Sequence, residues 1–122
     1  MPSQPGPIPE AWRKAVLRIL ETGKFGHQIQ LPRRTGADWQ AGSLGSFLWD
    51  LRNPLIDALA KRGVIGKHIP DQPEPGETYA FWMYYQCANG ENRKFYAKVC
   101  LHRGNVTIKV LSAHLPDKGD EL

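Results

Sequence analysis

Cysteine is scarce in this chain: only Cys87 and Cys100 are present. Both fall in expected strands of one hairpin, whose register sets them roughly 25 Å apart at about 3.3 Å per residue. That exceeds the Cα separation a disulfide tolerates, so both are expected as free thiols, as in a cytoplasmic protein. Neither has a cysteine partner at the short spacing of a structural zinc site, and no metal or other cofactor is expected. No Gly-rich phosphate-cradling motif occurs, which removes the usual sequence support for nucleotide binding. No apolar run approaches the length needed to span a bilayer, so no membrane association is expected. The start, Met1 to Pro9, has neither the basic residues nor the apolar stretch of a secretory signal. Acidic residues are missing from one stretch in particular. Between Arg93 and Lys109 stand Arg93, Lys94, Lys98, Arg103 and Lys109, with no Asp or Glu.

The composition is otherwise that of an ordinary globular domain, with a net charge of +4. Residues 1–8 are Pro-rich and expected to be disordered, 9–116 to form a single domain, and 117–122 a C-terminal tail. Pro9 and Glu10 favour a helix start. Trp12, Val16, Ile19 and Leu20 then recur at helical spacing, with Arg13, Lys14 and Arg18 on the expected solvent side and Gly23 as a stop. Residues 24–45 read as an irregular connection carrying Arg33 and Arg34, an arginine pair able to touch phosphate. Ser46 to Arg52 reads as a short helix. Asn53-Pro54 restarts the chain into a second helix closed by Gly63. The stretch Asp71–Glu77 is a loop, because two prolines and a glycine interrupt it. Helices over 9–69 followed by strands over 78–114 predict an α+β domain, N-terminal helices packed on a twisted antiparallel β-meander.

Within the meander, Asn89-Gly90 is the preferred pair for a two-residue hairpin turn. That turn would set Tyr85 against Lys94 and Met83 against Tyr96. Ala80, Trp82, Tyr84, Phe95, Ala97, Val99 and Leu101 would then form the core face. The other face would carry Tyr79, Phe81, Met83, Tyr85, Lys94, Tyr96, Lys98, Cys100 and His102. Aromatics interleaved with cations can stack bases while neutralising phosphates. The second turn, Arg103-Gly104-Asn105, leaves the parity of the last strand open. A two-residue loop buries Val106, Ile108 and Val110, a three-residue loop puts Ser112 and His114 beside Tyr96, and a bulge between Val110 and Ser112 satisfies both.

The segment Phe95-Tyr96-Ala97-Lys98-Val99, a turn, then Val106 to His114, resembles the C-terminal hairpin of the MqsR-like messenger-RNA interferases of the RelE-like ribonuclease toxins. The resemblance covers residues 78–114. It implies a toxin-antitoxin endoribonuclease that cleaves RNA, most naturally messenger RNA, and is held in check by a protein antitoxin. It also implies that Tyr96 and His114 serve the cleavage site. Metal-independent cleavage needs a base, an acid and cations around the phosphate. Imidazole titrates near pH 6.5, which makes His114 the acid/base candidate. Tyr96 would orient phosphate or donate a proton, and Lys98 would stabilise charge. Arg93, Lys94, Tyr85, Lys109 and His102 complete the expected RNA-binding set. The alternative is a non-catalytic module that binds RNA or a protein through the same face.

Overall fold

The computed structural model describes residues 4–70, 72–117 and 120. Residues 1–3 of the expected disordered start, residue 71 of the loop, and residues 118, 119, 121 and 122 of the expected tail lie outside the described residues. The domain is α+β, with three helices and one six-stranded sheet among the described residues. In chain order the elements are β1 (Gly6–Pro7), α1 (Glu10–Thr22), β2 (Ile29–Gln30), α2 (Arg33–Gly42), a 3-10 turn (Leu48–Leu51), α3 (Arg52–Leu59), β3 (Ile65–His68), β4 (Gly76–Gln86), β5 (Asn92–His102) and β6 (Ile108–His114). The sheet order is β1-β3-β4-β5-β6-β2, antiparallel except where β2 runs parallel to β6.

The helices therefore do not all precede the strands. β1 pairs with β3 through Gly6 and Pro7, and Ile8 behind it is buried, so order begins ahead of Pro9. Proline is tolerated there because an edge strand can spare a ladder donor. The span read as irregular contains α2. Its propensity is poor, with glycine at 36 and 42, each roughly 1 kcal/mol worse than alanine in a helix. Those glycines are contact points: a Cβ on Gly36 would meet the Leu48 side chain at 3.0 Å, and one on Gly42 would meet the Phe95 ring at 2.7 Å. The short helix expected from Ser46 is instead a 3-10 turn running directly into α3, which begins at Arg52 rather than Asn53.

All three helices lie against one face of the sheet. Trp12, Val16, Ile19 and Leu20 of α1, Trp39 of α2 and Leu55 and Leu59 of α3 pack on Phe81, Met83, Phe95, Ala97, Val99, Ile108 and Val110. Trp12 meets Phe81 edge-on, and Trp39 meets both Phe95 and Tyr85. None of the helices has a basic residue in its last turn, so the outward carbonyls there need partners from elsewhere. An arginine supplies one such partner at each helix. Arg13 donates to Leu59 O at the end of α3 (2.7 Å), Arg52 to Gly23 O after α1 (2.8 Å), and Arg93 to Gly42 O at the end of α2 (2.9 Å). Arg13, expected on a solvated face, is accordingly buried and also holds Glu10.

The first hairpin differs from the expected register by one residue. Cys87 N–H donates to Glu91 O (2.8 Å), Gly90 N–H donates to Cys87 O (2.9 Å), and Gly90 has φ +85°. The loop is thus Ala88-Asn89-Gly90, a turn closed by a left-handed glycine, with Asn89 Oδ1 accepting from Glu91 N–H. Trp82 consequently pairs with Tyr96, and Tyr84 with Lys94. A slip of one residue turns every β4 side chain over. Phe81, Met83 and Tyr85 face the helices, while Trp82 and Tyr84 stand on the open face. The expected core face of β5, Phe95, Ala97, Val99 and Leu101, is observed as such. Both cysteines are buried free thiols.

The close approach at Gly42 predicts that Gly42→Ala, by forcing Phe95 aside, destabilises the fold by about 1–3 kcal/mol. Urea unfolding would read this as a lower midpoint at unchanged slope.

Candidate nucleic-acid interface and catalytic cluster

The open face of the sheet is built from two rows that cross the strands. In one row Trp82, Tyr96 and His114 stand side by side on β4, β5 and β6. In the next, Ala80, Lys98 and Ser112 do the same, with Lys67 of β3 beside Ala80. Trp82 meets Tyr96 edge-on at 5.7 Å between ring centroids, and Tyr96 stacks on the His114 imidazole at 5.4 Å. Lys94 Nζ lies 4.1 Å from the centre of the Trp82 ring.

His114 reaches this face because β6 is bulged. Val99 pairs with Val110, but Lys98 pairs with Ser112, so Leu111 is left without an opposite number. Ile108 and Val110 keep their places in the core, and the extra residue rotates Ser112 and His114 to the other side. Val106 remains exposed in the turn. The carbonyl of Leu111 accepts a hydrogen bond from Thr35 Oγ1 at 3.0 Å, and Thr35 is buried in the first turn of α2. The bulge is pinned by a helix that the sequence hid.

Beside the pin, α2 and the end of β6 enclose an open groove of about 510 Å³ lined by Arg34, Asp38, Ser112, His114, Leu115 and Asp117 among others. The His114 ring stands between this groove and Tyr96. Its Nδ1 lies 2.8 Å from Leu115 O, with carboxylate oxygens of Asp117 and Asp120 at 3.6 and 3.8 Å. A lone pair aimed at three oxygens would be repelled, so Nδ1 carries a proton, and in the neutral ring it is Nε2 that holds the lone pair. Burial pushes the Tyr96 phenol above its ordinary value, and the charge of Asp120 adds to the shift. Tyr96 therefore keeps its proton at neutral pH.

The expected site residues divide into two groups. His114, Tyr96, Lys98 and Lys94 come together on the open face. Tyr85 does not join them: its ring packs on Trp39 and its hydroxyl meets Ser46. Arg93 lies on the helix side, held by Gly42 O and Glu91. Lys109 and His102 share the open face but are both bound to the carboxylate of Glu74, which the loop after β3 brings across that end of the sheet. Lys109 draws the Glu74 carboxyl below its usual range, with His102 adding to it. Trp82, Tyr84, Ser112 and Arg34 are members of the site that the expected register, or the missed helix, concealed. Arg34 was visible as half of the Arg33-Arg34 pair, and α2 is what carries it to the groove.

No protein-family model matches the chain, and neither does any curated protein or solved structure.

Among the described residues His114, Asp117 and Asp120 are also the one group spaced to hold a cation.

Loss of the pin should be visible locally. Thr35→Val, close in shape, leaves the Leu111 carbonyl unpaired and should cost about 1–3 kcal/mol. It should also speed amide exchange from Leu111 to His114. Parent-like exchange there would mean the bulge holds itself.

Proposed function

We propose that this protein is a metal-independent endoribonuclease of the toxin kind, with His114 as general base, Tyr96 as proton donor and Lys98 beside the phosphate. The observation that carries this reading is the β6 bulge, which sets an imidazole with a free Nε2 against a protonated phenol on a cationic sheet face. The sequence resemblance of residues 78–114 to MqsR-like interferases adds support, since it pairs the same two residues. A RelE-like relationship for the whole fold, messenger RNA as substrate, and a protein antitoxin that covers the open face belong to the same proposal.

The chemistry balances with these groups. His114 Nε2 takes the proton of a ribose 2′-hydroxyl, and the 2′-oxygen attacks the adjacent phosphorus. The bond from phosphorus to the 5′-oxygen breaks, and that oxygen takes the Tyr96 proton. The products are a 2′,3′-cyclic phosphate and a 5′-hydroxyl, and water returns the proton from imidazolium to phenolate. Lys98, opposite Ser112, and Arg34 across the groove oppose the charge gathered on the phosphate in the transition state.

Incubation with ordinary single-stranded RNA tests this directly. Cleavage should persist in EDTA and leave cyclic phosphate ends. Both His114→Ala and Tyr96→Phe should slow it by about 100-fold or more, the usual worth of positioned acid/base groups. RNA that is bound but stays intact would instead identify a non-catalytic RNA-binding module.

A further inference from the structure

We infer that Trp82 and Lys94 form a nucleobase-stacking subsite next to His114, so that the ligand of the open face is single-stranded RNA lying across the strands rather than duplex. The inference rests on the proposed RNA-directed role of the same face and specifies what that face selects.

Three observations on the sheet converge. Trp82 and Tyr96 are neighbours in one row with His114, so the indole lies two strand spacings from the imidazole, about 10 Å. A chain whose phosphate lies between His114 and Lys98 and which runs towards β4 delivers a neighbouring base to the indole. Trp82 is partly buried on a face that no helix covers among the described residues, and Tyr84, beyond it on the same strand, is 63% exposed. Aromatic rings placed this way offer flat surfaces to bases, which every base can use.

The charges fit the same path. Lys67, Lys94 and Lys98 form no ion pair among the described residues, in contrast to Lys109, which Glu74 holds. Lys94 rests its ammonium over the indole, a contact worth little at an exposed site. An arriving base takes that position on the ring, and the ammonium moves to the phosphate beside it. In an A-form duplex the base faces are already stacked and paired, so the indole has nothing to meet.

The test uses the full chain and a short, labelled 2′-O-methyl oligoribonucleotide, whose blocked 2′-oxygen prevents cleavage. Trp82→Ala should weaken binding of the single strand roughly ten-fold or more, and Trp82→Phe should retain most of it. Lys94→Gln should flatten the dependence of log affinity on log salt by about 0.7. The same strand annealed to its complement should bind at least roughly ten-fold more weakly than alone. Thermal unfolding confirms that each variant is folded, which the position of Trp82 outside the core cluster allows. Parent-like binding by Trp82→Ala, or equal binding of duplex and single strand, overturns the inference. Binding that depends on Trp82 without cleavage of ordinary RNA would remove the catalytic reading and leave this subsite. Cleavage with no dependence on Trp82 would do the reverse.

Discussion

The hydrogen bond from Thr35 to the carbonyl of Leu111 is the contact on which the candidate site depends. β6 has two incompatible obligations. Ile108 and Val110 must face the helices to complete the core, and strict alternation would then keep Ser112 and His114 off the face that carries Tyr96 and Lys98. One unpaired residue resolves this, at the cost of a carbonyl without a ladder partner. Thr35 supplies the partner from the buried first turn of α2, and the tight fit of Gly42 on Phe95 anchors the far end of that helix. Packing on one side of the sheet thus fixes which side chains meet on the other.

The basic character of the chain divides along the same line. Arg13, Arg52 and Arg93 each close the carbonyl end of a helix. A guanidinium suits this task because it is always charged, offers several donors in a rigid plane and is weakly hydrated. The favourable interaction of a cation with a helix C-terminus adds to the hydrogen bond. These arginines are consumed by the fold. Lys67, Lys94 and Lys98 of the open face are in no ion pair among the described residues, unlike Lys109, which Glu74 holds. A net charge alone would have counted both kinds equally, and only their placement tells structural cations from those open to a ligand.

Much of this could be read from the sequence, and the failures have definite causes. α1, the buried face of β5 and the division between helical and strand-rich halves follow from periodicity, which packing enforces. The two faces of β4 were exchanged because Asn-Gly serves two turn types. Here Asn89 bonds Glu91 and only Gly90 takes the left-handed conformation, adding one residue to the loop. That addition brought Trp82 and Tyr84 out and took Tyr85 in. α2 escaped notice because its glycines, poor for a helix alone, are what tertiary packing requires. β1 escaped because prolines suit an edge as well as a disordered tail. His114 and Tyr96 were legible as a pair only conditionally, since a bulge is set by the rest of the fold and leaves no local mark.

Glu74 settles where the usable part of the face ends. It binds Lys109 and His102 at once, and the neighbouring Thr78–Cys100 pair is buried, so these two cations are not free to meet a ligand. Burial accordingly pushes the Cys100 thiol above its ordinary range, so a neutral, enclosed sulfur lies where the cationic row would otherwise continue. The unpaired cations Lys94 and Lys98, the aromatic row and the free Nε2 of His114 are left together at the opposite end. Lys94 and Lys98 thus stand without a carboxylate partner among the described residues, while the acids near His114, Asp117 and Asp120, lie on the Nδ1 side of its ring. On the proposed reading, ligand attraction and chemistry fall at this end because Glu74 pairs the cations of the other.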